Sequence, residues 1–215
     1  MTVPSENTPS QGFTFDQNED RAEVAGLGMR LAFTRAGAVW THGLFVTVEN
    51  EIELVRAVES DPDRDQPSRV VSPVYQEVQR HQGVDGSSLC LLATGTLYQH
   101  HFSAVITLEV DRDRPDGVVL EIDVADRCRR AVEILAATYT VRLDSGALVT
   151  AGPEAIAWDI TRGTAGRLEI EAVAPSTLVL AEAGRSATRV QVLAALQPGG
   201  FTHRLHYRWR WASRS

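Results

Sequence analysis

The stretch Tyr98–Asp111 alternates between apolar and polar residues along its whole length, and it constrains the fold more than any other feature. Tyr98, His100, Phe102, Ala104, Ile106, Leu108 and Val110 fall on one side. Gln99, His101, Ser103, Val105, Thr107, Glu109 and Asp111 fall on the other. A period of two sends successive side chains to opposite faces of an extended chain, so the pattern predicts a long, half-buried strand. Asp113, Arg114, Pro115, Asp116 and Gly117 are turn formers, and Val118–Asp123 then alternates again. The two runs therefore predict a hairpin with Leu108 and Ile122 on one buried side.

The same reading extends along the chain. Met29–Thr34 and Val39–Val48 flank Arg35-Ala36-Gly37, a hairpin signal. Further strand pairs are predicted at 139–143 with 147–151, 155–160 with 167–174, and 177–182 with 188–196. A last strand is predicted over Phe201–Trp211. Three segments read instead as short helices. Ile52, Val55 and Val58 recur every three residues over 50–59. Ser72 and Pro73 resemble an N-cap and first position for a helix over 73–82, ended by Gly83. Val124, Cys128, Ala131, Val132 and Leu135 form a stripe on a helix from Asp123 or Asp126 to about Ala137. The fold class expected is thus α+β and β-rich: a largely antiparallel sheet, as a sandwich or partly closed barrel, with about three short helices. Residues 1–21 are expected to form a disordered tail, with Phe13 and Phe15 spaced to clip onto a sheet edge. Residues 22–215 are expected to form one globular domain. This order of elements loosely resembles helix-grip folds without their long C-terminal helix; no residue roles follow from the resemblance.

Charge narrows the function classes. Acids outnumber bases 28 to 21, for a net charge of −7, and all the bases are arginine. The acidic balance argues against coating nucleic acid or an anionic membrane. Without lysine, a lysine Schiff base, P-loop lysine or lysine general base is excluded, and ligand cations must come from Arg, His or the amino terminus. Cys90 and Cys128 are too few for a disulfide scaffold and form no C-x-x-C pair. No cofactor motif occurs, and Asp111–Gly117 departs from a calcium loop at the positions of Pro115, Asp116 and Ile122. The segment 1–22 lacks a leader's apolar core, and no apolar run approaches membrane-span length, so a cytoplasmic location is expected.

The residues with most chemical capacity are His100, His101, His203, Arg204 and His206. On a strand, His100 and His101 point to opposite faces, so they cannot share one metal. On the last strand, Phe201, His203, Leu205, Tyr207, Trp209 and Trp211 share one face, and Thr202, Arg204, His206, Arg208 and Arg210 the other. The basic face suits a carboxylate or phosphate, and the aromatic face suits a core or a second copy of the chain. The expectation is a non-enzymatic ligand-binding or assembly domain, with a small anionic or aromatic ligand and self-association through the C-terminal strand. The alternative is a small-molecule enzyme using His, Arg and carboxylate groups in one β-lined pocket.

Overall fold

In a computed structural model of the chain, the residues described are 12–47, 51–60, 66–81, 88–114, 116–142, 146–161, 165–183 and 187–213. They form strands β1 (Thr14–Gln17), β2 (Arg21–Gly26), β3 (Met29–Ala36), β4 (Val39–Thr47), β5 (Glu51–Ala57), β6 (Arg69–Val70), β7 (Glu77–His81), β8 (Ser88–Leu97), β9 (His100–Val110), β10 (Gly117–Cys128), β11 (Ile134–Arg142), β12 (Gly146–Ala151), β13 (Ala155–Ile160), β14 (Gly166–Ala172), β15 (Thr177–Ala183), β16 (Ala187–Leu193) and β17 (Thr202–Ser213). One sheet runs β1-β2-β3-β4-β5-β11-β16-β15, with short β6 pairing parallel to β11. The second runs β12-β13-β14-β17-β10-β9-β8-β7. The inner faces of both contribute to one apolar core, so the architecture is an antiparallel sandwich.

The fold is all-β, which corrects the α+β expectation: none of the described residues is helical. Each predicted helix fails for a local reason. In 50–59, a β-bulge lets Leu54 go unpaired, since Leu44 opposes Val55 while Phe45 opposes Glu53. The extra residue turns strand spacing into the three-residue spacing of Ile52 and Val55. In 73–82, Val74, Tyr75 and Val78 are all buried, but along a connector between the sheets that becomes β7. The Ser72 hydroxyl accepts from the Thr138 amide, 3.0 Å away, instead of capping a helix; Gln82 and Gly83 lie outside the described residues. In 123–137, Val124 and Cys128 are buried because they sit four apart on a strand, a spacing that suits both periods. A polar Asp126 at the intervening inward position hides the alternation. With no helix among the described residues, the resemblance to helix-grip folds falls too.

The N-terminal reading also changes. Residues 1–11 lie outside the described residues, but Thr14–Gln17 pairs with β2, and Phe13 and Phe15 pack against the core. Gln17 Nε2 donates to the Val78 carbonyl at 3.0 Å, tying β1 of one sheet to β7 of the other. No helix among the described residues is long and apolar enough to cross a membrane.

The hairpin of β9 and β10 has the expected register, with Leu120 opposite Leu108 and Ile122 opposite Ile106, all buried. The last strand does not lie at an edge. β17 is bonded to β10 on one side and β14 on the other, so its backbone is not free to pair with a second copy. Its aromatic face fills the domain's own core: Trp209 and Trp211 are buried, and Trp209 stands edge-on to Tyr139 of the opposite sheet. The expected self-association through this strand therefore loses its structural basis. Truncation after Pro198 is expected to abolish soluble expression, because it removes the strand joining two halves of a sheet. Trp209→Ala is expected to cost about 3–5 kcal/mol in urea unfolding; a loss below about 1 kcal/mol would contradict this core placement.

Between the sheets, His42 Nε2 lies 3.1 Å from the Tyr139 hydroxyl, which is hydrogen-bonded to that of Tyr207. Burial pushes the His42 imidazole down to about 4. The folded state thus resists a proton that the unfolded chain accepts below its ordinary value of about 6.5. Stability contributed by neutral His42 is present above about pH 6.5 and is lost as pH falls toward 4. His42→Phe is expected to flatten the dependence of the thermal midpoint on pH across that window. An unchanged slope would show that His42 is not buried neutral.

Candidate ligand-binding site

The five residues singled out in the sequence do not meet in one place. On the outer face of the second sheet, Arg204 grips Asp123 through two bonds of 2.6 Å. The hydrogen bond from Arg204 holds the Asp123 carboxyl below its usual range. His206 Nε2 lies 2.6 Å from Glu121 Oε1, and Arg208 Nε donates to Glu121 Oε2 at 2.8 Å. Burial raises the Glu121 carboxyl, but the bonds from His206 and Arg208 outweigh it and leave it lowered. Arg210 bonds Asp111 at 2.9 and 3.0 Å and reaches Glu171 at 3.3 Å. Arg204, Arg208 and Arg210 are thus neutralised within the chain, and the basic face expected to receive an anion or a neighbour's acids is already occupied.

His100 is sealed on the inner face. Its Nδ1 lies 2.9 Å from Asp126 Oδ2 and its Nε2 lies 3.0 Å from the Pro67 carbonyl, and both side chains are about 1% exposed. A carbonyl only accepts, so Nε2 must donate; the carboxylate on the other nitrogen then favours the imidazolium. Burial opposes that charge, but the Asp126 and Pro67 bonds and the Asp126 charge outweigh it, and the His100 pKa is raised. With both nitrogens engaged, His100 offers no free base. Its work is to anchor: Pro67 is held by His100, and the next carbonyl, of Ser68, accepts from the amides of Glu133 and Ile134. That fixes the far end of the loop 129–133.

This loop forms the end of the sandwich. The Cys128 amide donates to the Phe201 carbonyl at 3.0 Å, joining the end of β10 to the start of β17. Between them a cleft of about 390 Å³ is lined by Arg129, Arg130, Glu133, Gln197, Phe201 and His203, among others. Around the corner, an open cleft of about 590 Å³ is lined by Tyr98, Gln99, His101, Arg127 and Arg129. His101 and Arg127 are direct cross-strand partners on the outer face. Tyr98 has φ +53°, a left-handed conformation that bulky residues seldom adopt, and it presents its ring at 41% exposure. Phe201 is 61% exposed.

The side chains of Arg127, Arg129 and Arg130 have no ion pair or hydrogen bond with any described residue. Glu133 lines the second cleft but makes no ion pair with a described residue there. His203, 5% exposed, has a buried Nε2 with no partner among the described residues, and Asp126 directly across the β10–β17 ladder has a buried Oδ1 likewise without one among them. The structure therefore brings His101 and His203 to the basic end, sets His100 behind it as an anchor, and leaves Arg204 and His206 outside it. Sequence reading missed Arg127, Arg129, Arg130, Tyr98 and Phe201 as site residues. The Arg127-Cys128-Arg129-Arg130 run was visible, but on the supposed helix it made a solvated face. No group of His, Cys, Asp and Glu large enough to hold a metal occurs among the described residues. Comparison with models of known protein families finds no match, and neither does comparison with curated proteins.

A raised His100 pKa has a testable consequence. The stability of the His100–Asp126 pair is fully present below the unfolded imidazole value and is lost as pH rises through the raised folded value. His100→Gln is expected to destabilise by about 3–5 kcal/mol near pH 6, the cost of leaving a buried charge unpaired. The penalty is expected to shrink in alkaline solution. A penalty that grows with pH would mean that the histidine is not held as the cation.

Proposed function

We propose that this protein is a non-enzymatic binding domain for a small anionic ligand, taken at the basic end of the sandwich by Arg127, Arg129 and Arg130 with His101 and His203. One observation carries this reading: Arg204, Arg208 and Arg210 on the outer face of the second sheet are ion-paired, whereas Arg127, Arg129 and Arg130, around two adjoining clefts, make no ion pair with a described residue in a chain of net charge −7. Adjacent like charges repel, at a cost that an anion relieves. Guanidinium groups match the planar geometry of carboxylates and the oxygens of phosphates. The exposed rings of Tyr98 and Phe201 give an organic ligand apolar surface to cover.

The enzymatic alternative is less well supported. It requires His, Arg and carboxylates to converge in one concave pocket. Here His100 is consumed by Asp126 and Pro67, Arg204 by Asp123, and His206 by Glu121. His101, an exposed imidazole, has no orienting carboxylate among the described residues.

A variant with Arg127→Ala, Arg129→Ala and Arg130→Ala separates binding from folding. These side chains make no ion pair or hydrogen bond with a described residue, so each change is expected to alter stability by no more than about 0.5 kcal/mol. Titration of the wild type with phosphate, citrate and benzoate, followed by the histidine ring signals in NMR, is expected to move His101 and His203. The triple variant is expected to lose those shifts. Equal shifts in both proteins, or none in the wild type, would refute the site.

A further inference from the structure

The two clefts at the basic end repeat one set of groups. The first offers Arg127, Arg129, His101 and the exposed Tyr98 ring; the second offers Arg129, Arg130, His203 and the exposed Phe201 ring. Arg129 is common to both. From this we infer that the end of the sandwich holds one elongated ligand carrying two anionic groups, one in each cleft, with Arg129 between them. The inference rests on the anion-binding reading above and deepens it by naming the ligand class: an organic dianion such as a dicarboxylate, rather than a single-charge anion.

Several observations converge on two charges. A guanidinium pair is the natural complement of one carboxylate, and three guanidiniums that share a central member present two such pairs. Each cleft, at about 590 and 390 Å³, has the size of a site for a small organic molecule. The ligand therefore has a body as well as charged ends, and the rings of Tyr98 and Phe201 are placed to cover it. His203 supplies the independent sign that the second cleft expects a partner. It is 95% buried by its 5% exposure, it lines that cleft, and its Nε2 bonds to nothing among the described residues. A buried polar atom without a partner is costly, and a ligand or ordered water that engages this imidazole offsets the cost. The second cleft is also built rather than accidental. Gly199, at φ +73°, and the bond from the Gly200 amide to the Gln197 carbonyl shape one wall. The His100-anchored loop shapes the other.

The charge balance also bears on ligand size. Beyond the basic end, the outer face alternates acids with paired arginines. A long polyanion running off the end would meet Asp123 and Glu121 instead of further free cations, so the complementarity stops after two anionic groups.

The test is a calorimetric titration of the full chain, at fixed ionic strength, with the dicarboxylate series from succinate to sebacate and with the matching monocarboxylates. When both ends bind, the second event is intramolecular, and a linker of matching length raises affinity by about 10-fold or more. The expected result is one preferred chain length that binds at least about 10-fold tighter than its monocarboxylate. Arg127→Ala and Arg130→Ala, each removing one cleft's own guanidinium, are expected to reduce that diacid to the affinity of the monoacid. Diacids no tighter than monoacids, with both weakened by Arg129→Ala, would overturn the two-charge inference and leave anion binding standing. No binding by any member would overturn both. Much tighter binding of a single-stranded oligonucleotide than of any diacid would overturn the inference in favour of a polymeric ligand.

Discussion

The position of β17 between β10 and β14 is the constraint on which the rest of the molecule depends. The second sheet consists of two parts, β7 to β10 and β12 to β14, which are made at different points along the chain and do not bond each other. Among the described strands only β17 joins them, with its ladder running along β10 from Gly117 to Arg127 and along β14 from Gly166 to Ala172. The inward side chains of that strand, Leu205, Tyr207, Trp209 and Trp211, then supply the bulk against which the first sheet packs. Trp158 stacks on Trp209, and Tyr139 reaches both Tyr207 and Trp209 from the opposite sheet. Gly166 has no side chain because an added Cβ would collide with the Trp211 ring at 2.3 Å. Such an arrangement can be completed only after β17 has been made, and its contacts are dominated by distant pairs, a topology that folds slowly.

The same insertion decides the electrostatics. Because β17 runs antiparallel to β10, its outward Arg204, His206 and Arg208 are brought beside Asp123 and Glu121, more than eighty residues earlier. Arg210 likewise meets Asp111 and Glu171. Partly exposed pairs of this kind add little stability individually. Their effect is to remove charge from that face. At the end of the sandwich the ladder stops and the strands turn; Arg127 has His101 and Thr202 as its ladder partners, and Arg127, Arg129 and Arg130 make no ion pair with a described residue. A chain with an excess of acid therefore carries a local basic site by geometry alone.

The legibility of the sequence followed the regularity of each strand. The hairpin of β9 with the first half of β10 was plain, including the inward placement of Leu108 and Ile122, because nothing interrupts the alternation of β10 as far as Asp123. The strands misread as helices are those in which an interruption occurs: the bulge at Leu54, the connector through Val74 and Tyr75, and the inward Asp126. In the last case the interruption is itself part of the site's support, since Asp126 holds His100, which holds Pro67. Of the candidate residues, His101 and His203 lie at the basic end, whereas Arg204 and His206 are tied up in ion pairs. A list of residue types cannot distinguish a free arginine from a paired one.

What the sequence determined by itself is which faces of its strands are apolar, since alternation is a property of the local backbone and needs no partner. It also determined the chemistry at hand: arginine without lysine, few cysteines and an acidic balance. The tertiary structure alone decided that the C-terminal strand lies at the centre of a sheet, that Arg204, Arg208 and Arg210 are neutralised, and that Arg127, Arg129 and Arg130 are left without an ion pair to any described residue. The physical reason is that charge neutralisation depends on distance through space. That distance is set by the order and register of strands far apart in the chain, which local periodicity does not encode.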